Sequence, residues 1–169
     1  MNLEYFHLID RITDLDVGER RITVEAIVPH KSTIFEGHFP GYPLMPGVLL
    51  IEAMAQTSGW LLIALNKFER MPFLAAVQEA KMRTFITPGE VLTIDATLAH
   101  DGSGFARTDV KIKAAGKLAC NATLTFRIVP FPHPDLRGHM DIMAKRIGFP
   151  TEAIAQGTAE GTAEGTQHG

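Results

Sequence analysis

A single cysteine, Cys120, stands in 169 residues, so no internal disulfide can form and nothing points to an oxidising compartment. Positive charge is not in excess either: 16 Lys and Arg face 19 Asp and Glu, a net charge of -3. A domain that binds nucleic acid needs a basic face, so nucleic acid is excluded as a general partner. The histidines fall at no metal-ligand spacing; His133 and His139 come nearest, in a Pro-rich stretch, and no metal or other cofactor is expected. Met1 leads straight to Leu3, Glu4 and Tyr5 without the basic and apolar start of an export signal, and the cytoplasm is the expected compartment. Long apolar runs are absent but for one, Val48 to Leu65. Its polar residues (Glu52, Gln56, Thr57, Ser58) cluster in the middle and no basic flank precedes it, which argues for a core helix and against a membrane span.

What is present centres on His38-Phe39-Pro40-Gly41-Tyr42-Pro43-Leu44-Met45-Pro46-Gly47, directly before that apolar run. Three prolines and two glycines fix the loop that carries one imidazole. The helix behind is apolar nearly all round, which requires burial, and an acid in a buried helix is paired, protonated or at work. Pro46 suits a helix start, and the Gly47 N–H is then an orphan donor at the positive end of the macrodipole, where an oxyanion could sit. Gln56 lies four residues after Glu52 on the same face and can hydrogen-bond its carboxyl group; Gly59 keeps that stripe low enough for a thin apolar ligand.

The remainder supplies a wrapper. Ile22, Val24, Ala26 and Val28 alternate with polar residues, as do Leu92 to Leu98, Ala106 to Ile112, and Leu118, Cys120, Ala122, Leu124, Phe126 and Ile128. Each set reads as a half-buried strand, with turns at Asp101-Gly102-Ser103-Gly104 and Gly116 and a stop at Pro130. With less regular strands over Tyr5 to Ile12 and Phe73 to Phe85, the fold class is α+β: about six mostly antiparallel strands around one helix. Domain limits follow from composition. Residues 1–130 form the folded domain, residues 131–156 an extension with a linker at Phe131-Pro132-His133-Pro134 and a short helix over Met140 to Ile147, and residues 157–169 a Gly-Thr-Ala-Glu tract too poor in apolar surface to fold alone.

The run from His38 to Leu49, followed by Glu52-Ala53-Met54-Ala55-Gln56, resembles the active-site signature of the 3-hydroxyacyl-[acyl-carrier-protein] dehydratases. Lys81-Met82-Arg83 and Pro88-Gly89-Glu90 resemble the family's basic strand and its Pro-Gly-acid turn, and the likeness runs from about Tyr5 to Ile128. The resemblance implies a hot dog fold with His38 as catalytic base, Glu52 as catalytic acid, Gly47 as oxyanion donor and Gln56 as partner of the acid. Phe39, Pro46, Val48 and Gly59 then line the substrate. It also implies a homodimer with one continuous sheet, each site taking its histidine from one subunit and its acid from the other, and in many relatives a trimer of such dimers. An acidic carrier protein would dock on Arg20, Arg21, Lys31, Lys81 and Arg83. Leu3-Glu4-Tyr5-Phe6 and Asp101 to Phe105 are similar to an alphaproteobacterial branch that serves the very long acyl chains of lipid A.

The chemistry suits these groups in its own right. Water leaves a 3-hydroxyacyl thioester only if C2 gives up a weakly acidic proton and the C3 hydroxyl is protonated as it departs. An imidazole can take the first proton and a carboxyl group can give the second, while a backbone donor at the thioester oxygen contributes about 3 kcal/mol. Two other readings fit a hot dog site: an acyl thioesterase whose acid activates water, and an acyl-binding protein without turnover. The histidine loop with Gly47 argues against hydrolysis, which needs no base at C2.

Overall fold

Alternation of apolar and polar residues in some strands, joined by less regular ones, gives a six-stranded antiparallel sheet in the computed structural model, which describes residues 1–151. The strands are β1 (Arg11–Asp16), β2 (Arg21–Ile27), β3 (Arg70–Met82), β4 (Val91–Gly102), β5 (Phe105–Ala114) and β6 (Lys117–Pro130), ordered β1-β2-β4-β5-β6-β3. The faces follow the pattern: Ile22, Val24, Leu92, Ile94, Val110, Ile112 and Leu124 are buried, while the Thr23–Asp95–Lys111–Asn121 row faces out. Two-residue turns close the last two hairpins, with both central residues left-handed: Ser103-Gly104 (φ 55° and 79°) and Ala115-Gly116 (φ 48° and 74°). Such turns match the twist of an antiparallel pair.

The sheet curls around α2 (Gly47–Leu65), which Pro46 precedes as N-cap with φ -59°. By length and composition α2 could cross a bilayer, but 67% of its apolar window is buried inside the fold, so it is a core helix. Met54 and Leu61 are fully buried, each contributing about 1.5–3 kcal/mol of transfer energy. Its buried hydroxyls are satisfied: Thr57 donates to the Ala53 carbonyl at 2.8 Å, and Ser58 pairs with Thr108 of β5 at 2.8 Å, fixing helix against sheet.

Four expectations are corrected. Leu118 does not point inward: a register shift between β5 and β6 near Ile112 and Lys113 turns Ala119 and Cys120 both into the core and leaves Leu118 38% exposed. Tyr5 to Ile12 is not a strand. Residues Leu3–Tyr5 make a 3₁₀ turn that Phe6 ends in the left-handed region, closed by an isolated Asn2–His7 bridge, and the ladder with β2 begins at Arg11. The irregular later strand lies at Arg70–Met82, not Phe73 to Phe85. The C-terminal helix, α3 (Pro134–Arg146), starts six residues before Met140, because Pro134 takes the first helical position and the His133 imidazole caps it, accepting from the Asp135 N–H at 3.2 Å. A short helix α1 (Thr33–Gly37) had no counterpart in the sequence reading. The Gly-Thr-Ala-Glu tract and most of the end of the 131–156 extension lie outside the described residues.

One edge of the sheet is open. Along its outer flank β3 has no neighbouring strand among the described residues, and Phe73, Leu74, Val77 and Met82 on it are 40–43% exposed. A long apolar edge of this kind is a template for pairing with another strand.

Candidate functional site

The histidine loop is tied down from both sides. Before it, the Glu4 carboxylate accepts from Ser32 Oγ at 2.7 Å and from the Thr33 N–H at 2.9 Å, while Ser32 Oγ caps α1 by accepting from the Ile34 N–H. These bonds, the Ser32 one foremost, lower the Glu4 pKa from 4.5 to about 2. His38 ends α1, its N–H donating to the Ile34 carbonyl at 3.0 Å, and Phe39 and Tyr42 exchange two backbone bonds around Gly41 (φ 75°). The His38–Phe39 peptide is cis, and the two rings stack 4.2 Å apart.

The bond that decides His38's chemistry is internal to the loop: Nδ1 lies 2.9 Å from the Leu44 carbonyl oxygen. A carbonyl can only accept, so Nδ1 carries the proton and Nε2 is left with its lone pair. Leu44 N–H donates back to the His38 carbonyl at 2.9 Å, which fixes the distance between ring and carbonyl. At the end of the loop Gly47 opens α2; its N–H makes no backbone bond within the described residues. A Cβ placed on Gly47 would lie 3.6 Å from Met82 Cγ, so the helix start and the end of β3 are in contact.

The acid stands elsewhere. Glu52 is half-buried on α2, and Gln56 Nε2 donates to its Oε1 at 3.1 Å. The same Gln56 amide donates to the Phe6 carbonyl at 2.7 Å and accepts from the Leu8 N–H at 3.1 Å, so one side chain joins the acid, α2 and the N-terminal segment. Glu52, Gln56, Gly59 and Ile63, at the i, i+4, i+7 and i+11 positions of one helix face, line a cavity of about 640 Å³. Its other walls are β3 around Pro72 and Phe73, Phe126 of β6, and α3. That volume lies within the range of small-molecule sites, and its polar groups gather beside Glu52 in an otherwise apolar lining. Among them, His7 is held below the ordinary imidazole value by burial first and then by the Arg146 guanidinium, which contacts Nδ1.

Within the chain the expected residues therefore form two groups. Glu52, Gln56 and Gly59 line the cavity; His38, Phe39, Pro46, Gly47 and Val48 do not. Phe39, Tyr42, Val48 and Phe85 around the second group are 50–73% exposed. The five basic residues are not one patch either. Arg21 is paired with Asp14 at 2.6 Å, Lys31 follows the opposite end of β2 from Arg20 and Arg21, and Lys81 and Arg83 lie four strand spacings away, about 19 Å along the sheet.

The FabA-like domain family matches residues 1–123. A 3-hydroxyacyl-[acyl-carrier-protein] dehydratase FabZ of Lactobacillus helveticus is 35% identical over 125 residues, covering 73% of this chain and 83% of that protein. The FabZ of Clostridium acetobutylicum is 36% identical over 129 residues, covering 72% and 86%. This chain belongs to the FabZ dehydratases of the FabA-like family. Its backbone also resembles solved thioesterases, among them a hypothetical thioesterase of Streptococcus pneumoniae with coenzyme A (TM-score 0.58, 22% identity, 71% of this chain and 88% of that one) and a thioesterase of Pseudomonas aeruginosa (TM-score 0.59, 19% identity, 76% and 85%). At these identities the likeness establishes the hot dog fold alone. Relative to the FabZ signature, the sequence reading missed His7, His139, Met140 and Met143, which line the cavity from segments far from the motif. For the last two a signal existed: Met140, Met143, Ala144 and Ile147 fall on one helix face.

Proposed function

We propose that this FabZ-family chain converts (3R)-3-hydroxyacyl-acyl carrier protein to the trans-2-enoyl thioester, without a cofactor, at sites that two copies build together. The observation that carries this is the separation just described: an acid presented at the polar end of an apolar cavity, and a histidine with a free Nε2 outside it, next to an open apolar strand edge. Pairing the β3 edges of two copies would cover Phe73, Leu74 and Val77 and could bring one copy's His38 to the other's Glu52.

In that site His38 Nε2 takes the C2 proton while the Gly47 N–H donates to the thioester oxygen and stabilises the enolate-like charge. Glu52, oriented by Gln56, protonates the C3 hydroxyl, which leaves as water as the C2–C3 double bond forms. His38 ends protonated and Glu52 ionised, and a proton passed between them through solvent resets the pair. The steps run backwards equally well, so enoyl thioesters are hydrated. Phe39, Pro46 and Val48 would flank the thioester and Gly59 the acyl chain. Lys81 and Arg83 flank Met82, which lies against Gly47, and that end of the molecule is where the carrier protein would dock. Two finer assignments follow from the sequence resemblance, a trimer of dimers and acyl chains of the very long kind used in lipid A; a cytoplasmic setting and a hot dog domain over residues 1–130, with α3 packed on it, complete the proposal.

Incubation with crotonyl-pantetheine tests the reading. Loss of enoyl absorbance without release of free thiol is expected; thiol release with the double bond intact identifies a thioesterase, and binding without either change identifies an acyl-binding protein.

A further inference from the structure

The family match ends at residue 123, yet the cavity does not. His139, Met140 and Met143 of α3 form one of its walls. The helix is clamped at both ends. Near its start Arg137 donates to the Phe68 carbonyl at 2.6 Å and lies 4.0 Å over the Phe68 ring, just past the end of α2. Beyond its last turn the Ile147 carbonyl accepts from the Ile12 N–H at 2.8 Å, and Arg146 contacts His7, level with Gln56. Fully buried Ala144 and Ile147, and Phe149 with its ring tilted against Trp60 at 5.2 Å, seat it on the core. The helix thus runs back along α2 from its C-terminal end to the level of Gln56, over the face that carries Gly59 and Ile63.

From this placement we infer that α3 is the specificity-determining wall of the acyl channel, with Met140 and Met143 as the side chains that gauge the distal part of the acyl chain. The inference rests on the dehydratase reading for the identity of the ligand. From Glu52 to Ile63 the α2 face rises about 16 Å, so a short acyl group would stay near the acid and only a long one would reach along the α3 wall. Both residues are methionines, unbranched and deformable, which suits a wall that accommodates alkyl chains.

The test is hydration of crotonyl- and hexadecenoyl-acyl carrier protein by the full-length chain and by Met143→Trp, Met140→Trp and Met143→Leu. The tryptophans, filling the channel, should lower the ratio of long-chain to short-chain kcat/KM about tenfold, a discrimination typical of apolar pockets, and Met143→Leu should restore it. Equal losses at both chain lengths, or an unchanged ratio in both tryptophan variants, overturn the inference. Should the unmodified protein turn over neither substrate, the dehydratase reading fails by itself. Calorimetric binding of hexadecanoyl-pantetheine then reads the wall independently: weaker binding by Met143→Trp is expected, and equal binding overturns the inference.

Discussion

Gln56→Leu is the substitution whose consequences the structure specifies most fully. The leucine keeps the size and helix propensity of glutamine but removes three hydrogen bonds: to the Phe6 carbonyl, from the Leu8 N–H and to Glu52 Oε1. At about 1 kcal/mol net for each, the loss is about 2–3 kcal/mol, part of which leucine regains by burying its methyls. For a chain of this size that lowers Tm by roughly 4–12 °C. Activity should fall through kcat, because Glu52 keeps its place on α2 but loses the amide that orients its carboxyl group. The assays are thermal denaturation and steady-state hydration of crotonyl-pantetheine. An unchanged Tm would refute the tethering of the N-terminal segment through Gln56. An unchanged kcat with an altered KM would refute the positioning of the acid.

Three further expectations concern the frame of the site. Glu4 has a folded pKa of about 2, below its ordinary 4.5, so the stability it lends the α1 end is complete above about pH 4.5 and is lost as pH falls towards 2; Glu4→Gln should flatten that part of a Tm-against-pH curve, and an identical acid limb would contradict the contact. Cys120 is fully buried, and burial pushes its thiol up to about 11; iodoacetamide should label it only after unfolding, and rapid labelling of the native protein would contradict its place on the inner face of β6. Thr108→Val strips Ser58 of its buried partner and should cost about 1–3 kcal/mol by urea denaturation with little effect on KM; a neutral result would mean that Ser58 finds another partner.

The legible parts of the fold were those where one local rule acts alone. Alternation through β2, β4 and β5 survived because each strand has one face on α2 and one in water. α2 was readable from Pro46-Gly47 and an unbroken apolar run. Where two rules competed, local pattern misled. Leu118 fits the alternation, but the bulge at Ile112 and Lys113 moves the register by one residue. Leu8 and Ile9 are buried without belonging to a strand, which periodicity has no means to express. Pro134 looked like part of a linker because proline stops helices from within, whereas at the first helical position it starts one. The chemistry of the site was visible in its residue types, and its geometry was not: the Leu44 carbonyl that sets the His38 tautomer depends on how the loop folds back on itself, and the α3 wall of the cavity is a product of tertiary packing.

The central claim is that His38 of one copy works with Glu52 of another, and mixing two inactive variants tests it most directly. His38→Ala and Glu52→Gln should each be inactive alone. After subunits are exchanged by mild denaturation and refolding, with mixed dimers verified by mass spectrometry, half the pairs are mixed and each mixed pair holds one intact site. Recovery of about one quarter of the unmodified activity is the predicted result. Verified mixed dimers without activity would contradict the account and place both groups of each site within one chain.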